Sequence, residues 1–318
     1  MELTPQNIQK DFEDKRINKL TASNLLISII ENSESKRIRI ESIRTLENLD
    51  LKNDAIFNLL ENLVISDSDK EIRLYAAKYL KNNFIDNSIK PFKWVIENES
   101  DYECIVTVIQ ALIVMDLPES KTVLISQIKK ISNNKYLNKE RRIKNKFKKV
   151  LKKDIRQKKI IDYTKRELGL ILINYLTILN LTNQYPNVFY ELNPQSGLIK
   201  FLDLSDFMEY EVKGTPFGWK NNIRSLSEIM GLFSLNNLKE IDLSNNFITD
   251  VKEIPQLKEL THLILRNNKI NEIENLNYIR RLPKLKYLDL RGNKIVKKLS
   301  LKDFDSKIKV LLKDISLN

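Results

Sequence analysis

Three stretches decide how this chain is read: LKEIDLSNNFI at residues 238–248, LTHLILRNNKI at 260–270 and LKYLDLRGNKI at 285–295. Each carries aliphatic residues at its first, fourth, sixth and eleventh positions and Asn at its ninth. The asparagines Asn246, Asn268 and Asn293 recur after 22 and then 25 residues. Positions four to six alternate with period two, the mark of a strand with one face buried. Successive copies therefore predict stacked strands whose Leu and Ile side chains point inward. The intervening positions form outward columns: Glu240, His262 and Tyr287 in one, Asp242, Ile264 and Asp289 in the next, with Ser244, Arg266 and Arg291 at the edge. Each Asn follows its strand, inside the turn. There its side chain can satisfy backbone groups of adjoining coils that have no strand partner.

The pattern extends outward from these copies. Val251 and Ile273 fall three residues after Ile248 and Ile270 and are expected to be core positions. Asn222-Ile223-Arg-Ser-Leu226 lies 24 residues ahead of the first Asn and reads as a degraded coil. Phe189 to Leu204 reads as a hairpin turning at Asn193–Gly197, and its Leu202-Asp-Leu204-Ser imitates Ile241-Asp-Leu243-Ser. Asp303 to Leu312 reads as a capping helix. The eleven-residue pattern resembles the leucine-rich repeat, in particular the 22-residue class of eukaryotic phosphatase regulatory subunits, over about residues 221–312. The resemblance implies an α/β solenoid with a concave sheet that binds proteins.

A different repeat occupies the first half. ESKRIRIESIRTL (34–46), SDKEIRLYAAKYL (68–80) and SDYECIVTVIQAL (100–112) align without gaps at offsets of 34 and 32. Ile38, Ile43 and Leu46 correspond to Ile72, Ala77 and Leu80, and to Cys104, Ile109 and Leu112, a helical face. An apolar stretch precedes each copy at the same offsets, so the unit is a helix, a turn and a second helix. Ser68…Glu71 and Ser100…Glu103 read as capping boxes. Pro91 and Pro118 suit first helical turns. The segment resembles the short HEAT-type α-solenoid of the phycobilin lyase-related group, over about residues 20–131. The Trp-Leu-Gly-Tyr set of tetratricopeptide repeats is missing. The resemblance implies stacking and a concave surface, with no catalytic residue to carry over.

The 318 residues carry 54 Lys and Arg against 42 Asp and Glu, a net +12. Between Lys129 and Arg166, 17 basic residues face 3 acidic ones, so this stretch is +14 and the remainder −2. Ile143, Phe147, Val150, Leu151 and Ile155 keep helical spacing within it, which predicts an amphipathic helix with a basic outer face. Three readings stand: a solvated face inflated by a chain rich in Ile, Lys and Asn; a site for an acidic protein; a site for nucleic acid or an anionic surface. The last would use Arg141, Arg142, Lys148, Lys149, Lys152 and Lys153. Few aromatics accompany these lysines, and recognised nucleic-acid motifs are missing.

Leu168 to Leu181 is apolar nearly all round but too short to span a bilayer, and predicts a doubly buried helix shared by the two halves. One Cys and one His exclude a disulfide framework and zinc sites needing paired His or four Cys. Six Gly leave no phosphate-cradling loop; Gly214 to Gly218 is too short and lacks the following Lys-Ser/Thr. Cys104 and His262 sit on different repeat types, Cys104 facing a core. No catalytic residue, metal site or cofactor is therefore expected.

These features predict a HEAT-like α-solenoid at 1–185 and a leucine-rich domain at 186–318, in a cytoplasmic, monomeric, non-catalytic scaffold for another protein. The expected contact residues are Glu240, Asp242, His262, Ile264, Arg266, Tyr287, Asp289 and Arg291. The alternative is a protein associated with nucleic acid or an anionic surface through residues 139–159.

Overall fold

The computed structural model describes residues 3–133, 143, 145–147, 160–185, 188–206 and 221–313. The chain forms two compact units, Met1–Lys129 with Tyr163–Gly169, and Lys130–Asp162 with Leu170–Asn318. The second unit thus reaches back past residue 186, the start expected for it.

The first unit is helical: α1 (Pro5–Glu13), α2 (Lys19–Asn32), α3 (Lys36–Asn48), α4 (Asp54–Ser66), α5 (Lys70–Asn83), α6 (Ile89–Asn98), α7 (Tyr102–Val114) and α8 (Pro118–Asn133). Helices α2, α4 and α6 touch in succession, as do α3, α5 and α7, and each pair α2–α3, α4–α5 and α6–α7 packs across the two rows. Leu26, Ile30, Ile43, Leu46, Leu60, Ile72, Leu80, Ile109 and Leu112 fill the space between them. Ile38 departs from the expected helical face. It is exposed, and Ile40 is buried in its own helix instead.

The turns between rows repeat, in a way that corrects the capping reading. The caps are Asp69 and Asp101, one residue beyond the serines expected, and Ser35 at the matching place in the first copy; Ser35, Asp69 and Asp101 accept from the N–H groups of Ile38, Glu71 and Cys104. The residue two earlier in each turn makes the difference. Ser33 Oγ, Asp67 Oδ1 and Glu99 Oε1 accept from the N–H of Ser35, Asp69 and Asp101 at 3.2, 2.9 and 2.8 Å. This local turn places the later residue at the helix start.

Helix α9 (Lys165–Gln184) contributes to both units. Its Gly169 admits Ile113 so closely that a Cβ there would meet Ile113 Cδ1 at 2.4 Å. From Ile171 to Tyr175 it is buried without interruption, as the apolar run predicts.

The second unit carries a six-stranded sheet in chain order: β1 (Phe189–Leu192), β2 (Ile199–Asp203), β3 (Glu240–Asp242), β4 (His262–Ile264), β5 (Tyr287–Asp289) and β6 (Lys309–Leu311). β1 and β2 form the expected antiparallel hairpin, and β2 to β6 run parallel. Gly197 has φ +70° in the turn, where Asn193 Oδ1 accepts from the N–H of Gln195 and Ser196. Leu202, Ile241, Leu263 and Leu288 are in register and fully buried. Within this unit Asn174 of α9 accepts from Ile199 N–H at 2.8 Å. Asn180 donates to Met230, and Gln184 and Tyr185 donate to the Glu228 carbonyl. Phe147 packs edge-on to Tyr175 at 5.5 Å, and Lys146 Nζ lies 4.3 Å from the Tyr190 ring centre.

The asparagines form a ladder. Asn268 Nδ2 donates to the carbonyls of Leu243 and Leu265, while its Oδ1 accepts from Ile248 N–H. Asn246 and Asn293 repeat this with Leu204 and Leu243, and with Leu265 and Leu290. The degraded coil joins through Asn221, which donates to Leu204, one residue before the Asn222 expected. Ile273 is exposed rather than a core position; the short α10 (Glu274–Ile279) accounts for the longer spacing of this coil and buries Leu276 and Ile279 in its place. The expected capping helix at 303–312 is replaced by β6, which extends the parallel sheet.

Candidate partner-binding face

The outward columns form as the alternation requires, and they are longer than expected. Phe201, Glu240, His262, Tyr287 and Lys309 align in one column; Asp203, Asp242, Ile264, Asp289 and Leu311 align in the next. Phe201 and Asp203 were legible as the imitation of Ile241-Asp-Leu243. Lys309 and Leu311 were hidden by the helical reading of 303–312.

In the first column the His262 and Tyr287 rings stack at 5.6 Å with 28° between planes, and Lys309 Nζ stands 5.8 Å from the tyrosine ring centre. His262 Nδ1 is 3.0 Å from Thr261 Oγ1 and 3.8 Å from Glu240 Oε1. At the column's start Phe201 meets Phe189 edge-on at 6.0 Å. Glu240 is exposed, whereas His262, Tyr287 and Ile264 are half-buried. Held side chains of this kind lose little rotamer freedom when a partner covers them.

The second column is acidic and partly committed to the fold. Burial raises the Asp242 carboxyl above its ordinary value, and Asp203 and Asp289 push the same way against the Ser244 hydrogen bonds. Asp289 keeps its place in the outward column but is buried there, clamped by Arg291: Nε to Oδ1 at 2.9 Å and Nη2 to Oδ2 at 2.6 Å. The Asp289–Arg291 pair thus differs from the other contact residues expected. Ser244 at the edge is also buried, and Arg266 is half-buried. Arg141, Arg142, Lys148, Lys149, Lys152 and Lys153 lie outside the described residues.

Cys104 is fully buried, and burial raises its thiol to about 12. Among the described residues, no group of His, Cys, Asp and Glu converges to hold a metal ion. No helix among them is long and apolar enough to cross a membrane.

The family model described as Leucine Rich repeats (2 copies) matches residues 258–304, which contain β4, α10 and β5. No curated protein matches the chain. Leucine-rich repeats generally mediate protein–protein interaction, so their presence supports protein binding in general.

Proposed function

We propose that the chain is a non-catalytic scaffold that binds another protein across the outward face of β2 to β6. The helical unit is read as a HEAT-type solenoid array, and the strand-bearing unit as a leucine-rich solenoid acting as a monomer in a reducing, cytoplasmic setting. The column Phe201, Glu240, His262, Tyr287 and Lys309 carries this reading: it sets a stacked aromatic pair among charges of both signs. Aromatic anchors ringed by polar groups dominate interface energetics. The non-catalytic part rests on the burial of Cys104 and on the lack of a nucleotide loop in the sequence. The reading is tested by titrating a captured partner against Tyr287→Ala and Ile264→Asp calorimetrically. Tyr287→Ala is expected to weaken binding by about 2 kcal/mol, a hot-spot magnitude, at unchanged melting temperature. Parental affinity in both variants contradicts it.

The basic stretch supports a second reading, polyanion binding, because +14 within residues 129–166 exceeds the charge of the whole chain. Co-purifying nucleic acid, and affinity that falls steeply with salt, would favour it.

A further inference from the structure

Among the described residues the sheet ends on an open edge. β6 is the terminal strand among the described residues. Lys309 N–H donates to Lys286, and Leu311 C=O accepts from Leu290, so the parallel ladder to β5 uses residues 309 and 311. The N–H and C=O of Val310 therefore point away from β5. Val310 also continues the buried series Leu202, Ile241, Leu263 and Leu288, yet it is only partly buried. Beside it a groove of about 480 Å³ is lined by Val296, Leu299, Leu301, Val310 and Leu312, with Lys313 at its rim. Leu301 is 66% exposed.

The segment that ends in this edge is locally basic. Residues 294–313 hold seven Lys and two Asp, a net +5. With the +14 of 129–166 also set aside, the rest of the +12 chain is −7, so overall composition does not explain the lysines. Lysines at a strand edge repel a second, equally basic edge. They attract an extended segment of opposite charge.

We propose that β6 is a strand-addition site for an acidic, extended peptide segment of a partner protein. The peptide backbone would pair with Val310, alternate aliphatic side chains would fill the groove beside Leu301, and its acids would meet Lys302, Lys307 and Lys313. The groove shares no lining residue with the column centred on Tyr287, to which β6 contributes only Lys309. In strand addition, main-chain hydrogen bonds give affinity and pockets for alternate side chains give specificity.

The test is selection of a random peptide library on the full chain, followed by titration of one synthetic enriched peptide. Enriched sequences are expected to be acidic, alternately aliphatic and poor in Pro. Affinity should fall with salt, and by about tenfold or more for Leu301→Asp and, as a second variant, for Lys302→Glu with Lys307→Glu. N-methylation of alternate peptide amides should abolish binding, and Tyr287→Ala should leave it unchanged. The proposal is overturned if nothing is enriched, or if the peptide binds Leu301→Asp as tightly as the parent. It is likewise overturned by a dimer that Leu301→Asp dissolves, meaning a second copy takes the edge, or by peptide binding that appears only after residues 314–318 are removed.

Discussion

Asn268 shows why this sequence needs asparagine where it does. Its amide donates into two coils, and its carbonyl oxygen accepts from Ile248, which lies in the same coil as Leu243. An aliphatic side chain of similar size would leave the Ile248 N–H buried without its partner, while the carbonyls of Leu243 and Leu265 would lose one of their donors and keep Asn246 and Asn293. A buried group left unsatisfied costs about 1–3 kcal/mol, and each lost hydrogen bond about 0.5–1.5 kcal/mol. Asn268→Ala should therefore lower unfolding free energy by roughly 3 kcal/mol, read from urea midpoints at unchanged slope. A loss below about 0.5 kcal/mol, the level of a neutral surface change, would mean that water or relaxation replaces the ladder. The three intact rungs were legible because Leu, Leu and Asn keep fixed spacing. The fourth was misplaced by one residue, since Asn221 and Asn222 are adjacent and only the path of the coil decides between them. Gly292 was silent in the sequence, yet its φ of +74° matches Asn245 and Asn267 at +60° and +56° in the turns of the other copies.

Among the elements, the repeated helix pairs are tied by arginines. Arg39 of α3 reaches Asp67 at the end of α4, and Arg73 of α5 reaches Glu99 at the end of α6 through two bonds of 2.6 and 3.0 Å. The two arginines are 34 residues apart and their partners 32, matching the repeat offsets. Burial alone would raise the Glu99 carboxyl; Arg73 and the N–H groups of Asp101 and Ser100 hold it below its ordinary value. A lowered carboxylate stabilises above its unfolded value and loses that contribution as pH falls through the folded one. Arg73→Ala should thus cost roughly 2 kcal/mol at pH 7, with the gap to the parent narrowing below about pH 4.3. A gap independent of pH in chemical denaturation would assign the loss to packing instead. Helix existence was legible from period and caps, but two boundaries shifted because Asp67 and Glu99 organise their own turns. β6 was illegible for a different reason. Lys309-Val-Leu is short, follows a helix-like run, and becomes a strand through pairing with β5, a tertiary effect that outweighs local pattern.

In the whole molecule, the strand-bearing unit depends on residues ahead of its first strand. Asn174, Asn180, Gln184 and Tyr185 bond the β2 and Met230 regions, and Tyr175 packs on Phe147. Residues 186–318 alone should be insoluble or melt without cooperativity, whereas 130–318 should melt cooperatively by calorimetry; equal melting of the two fragments contradicts this. On the proposed function, the sheet face reads the partner. Hydroxyl-radical footprinting of the full chain, with and without its captured partner, tests this most directly. Partner binding is expected to suppress oxidation of Phe201, His262 and Tyr287 while Trp94 of α6 and Tyr75 of α5 stay reactive. Protection of Tyr75 or Trp94, with Phe201, His262 and Tyr287 unchanged, would contradict it.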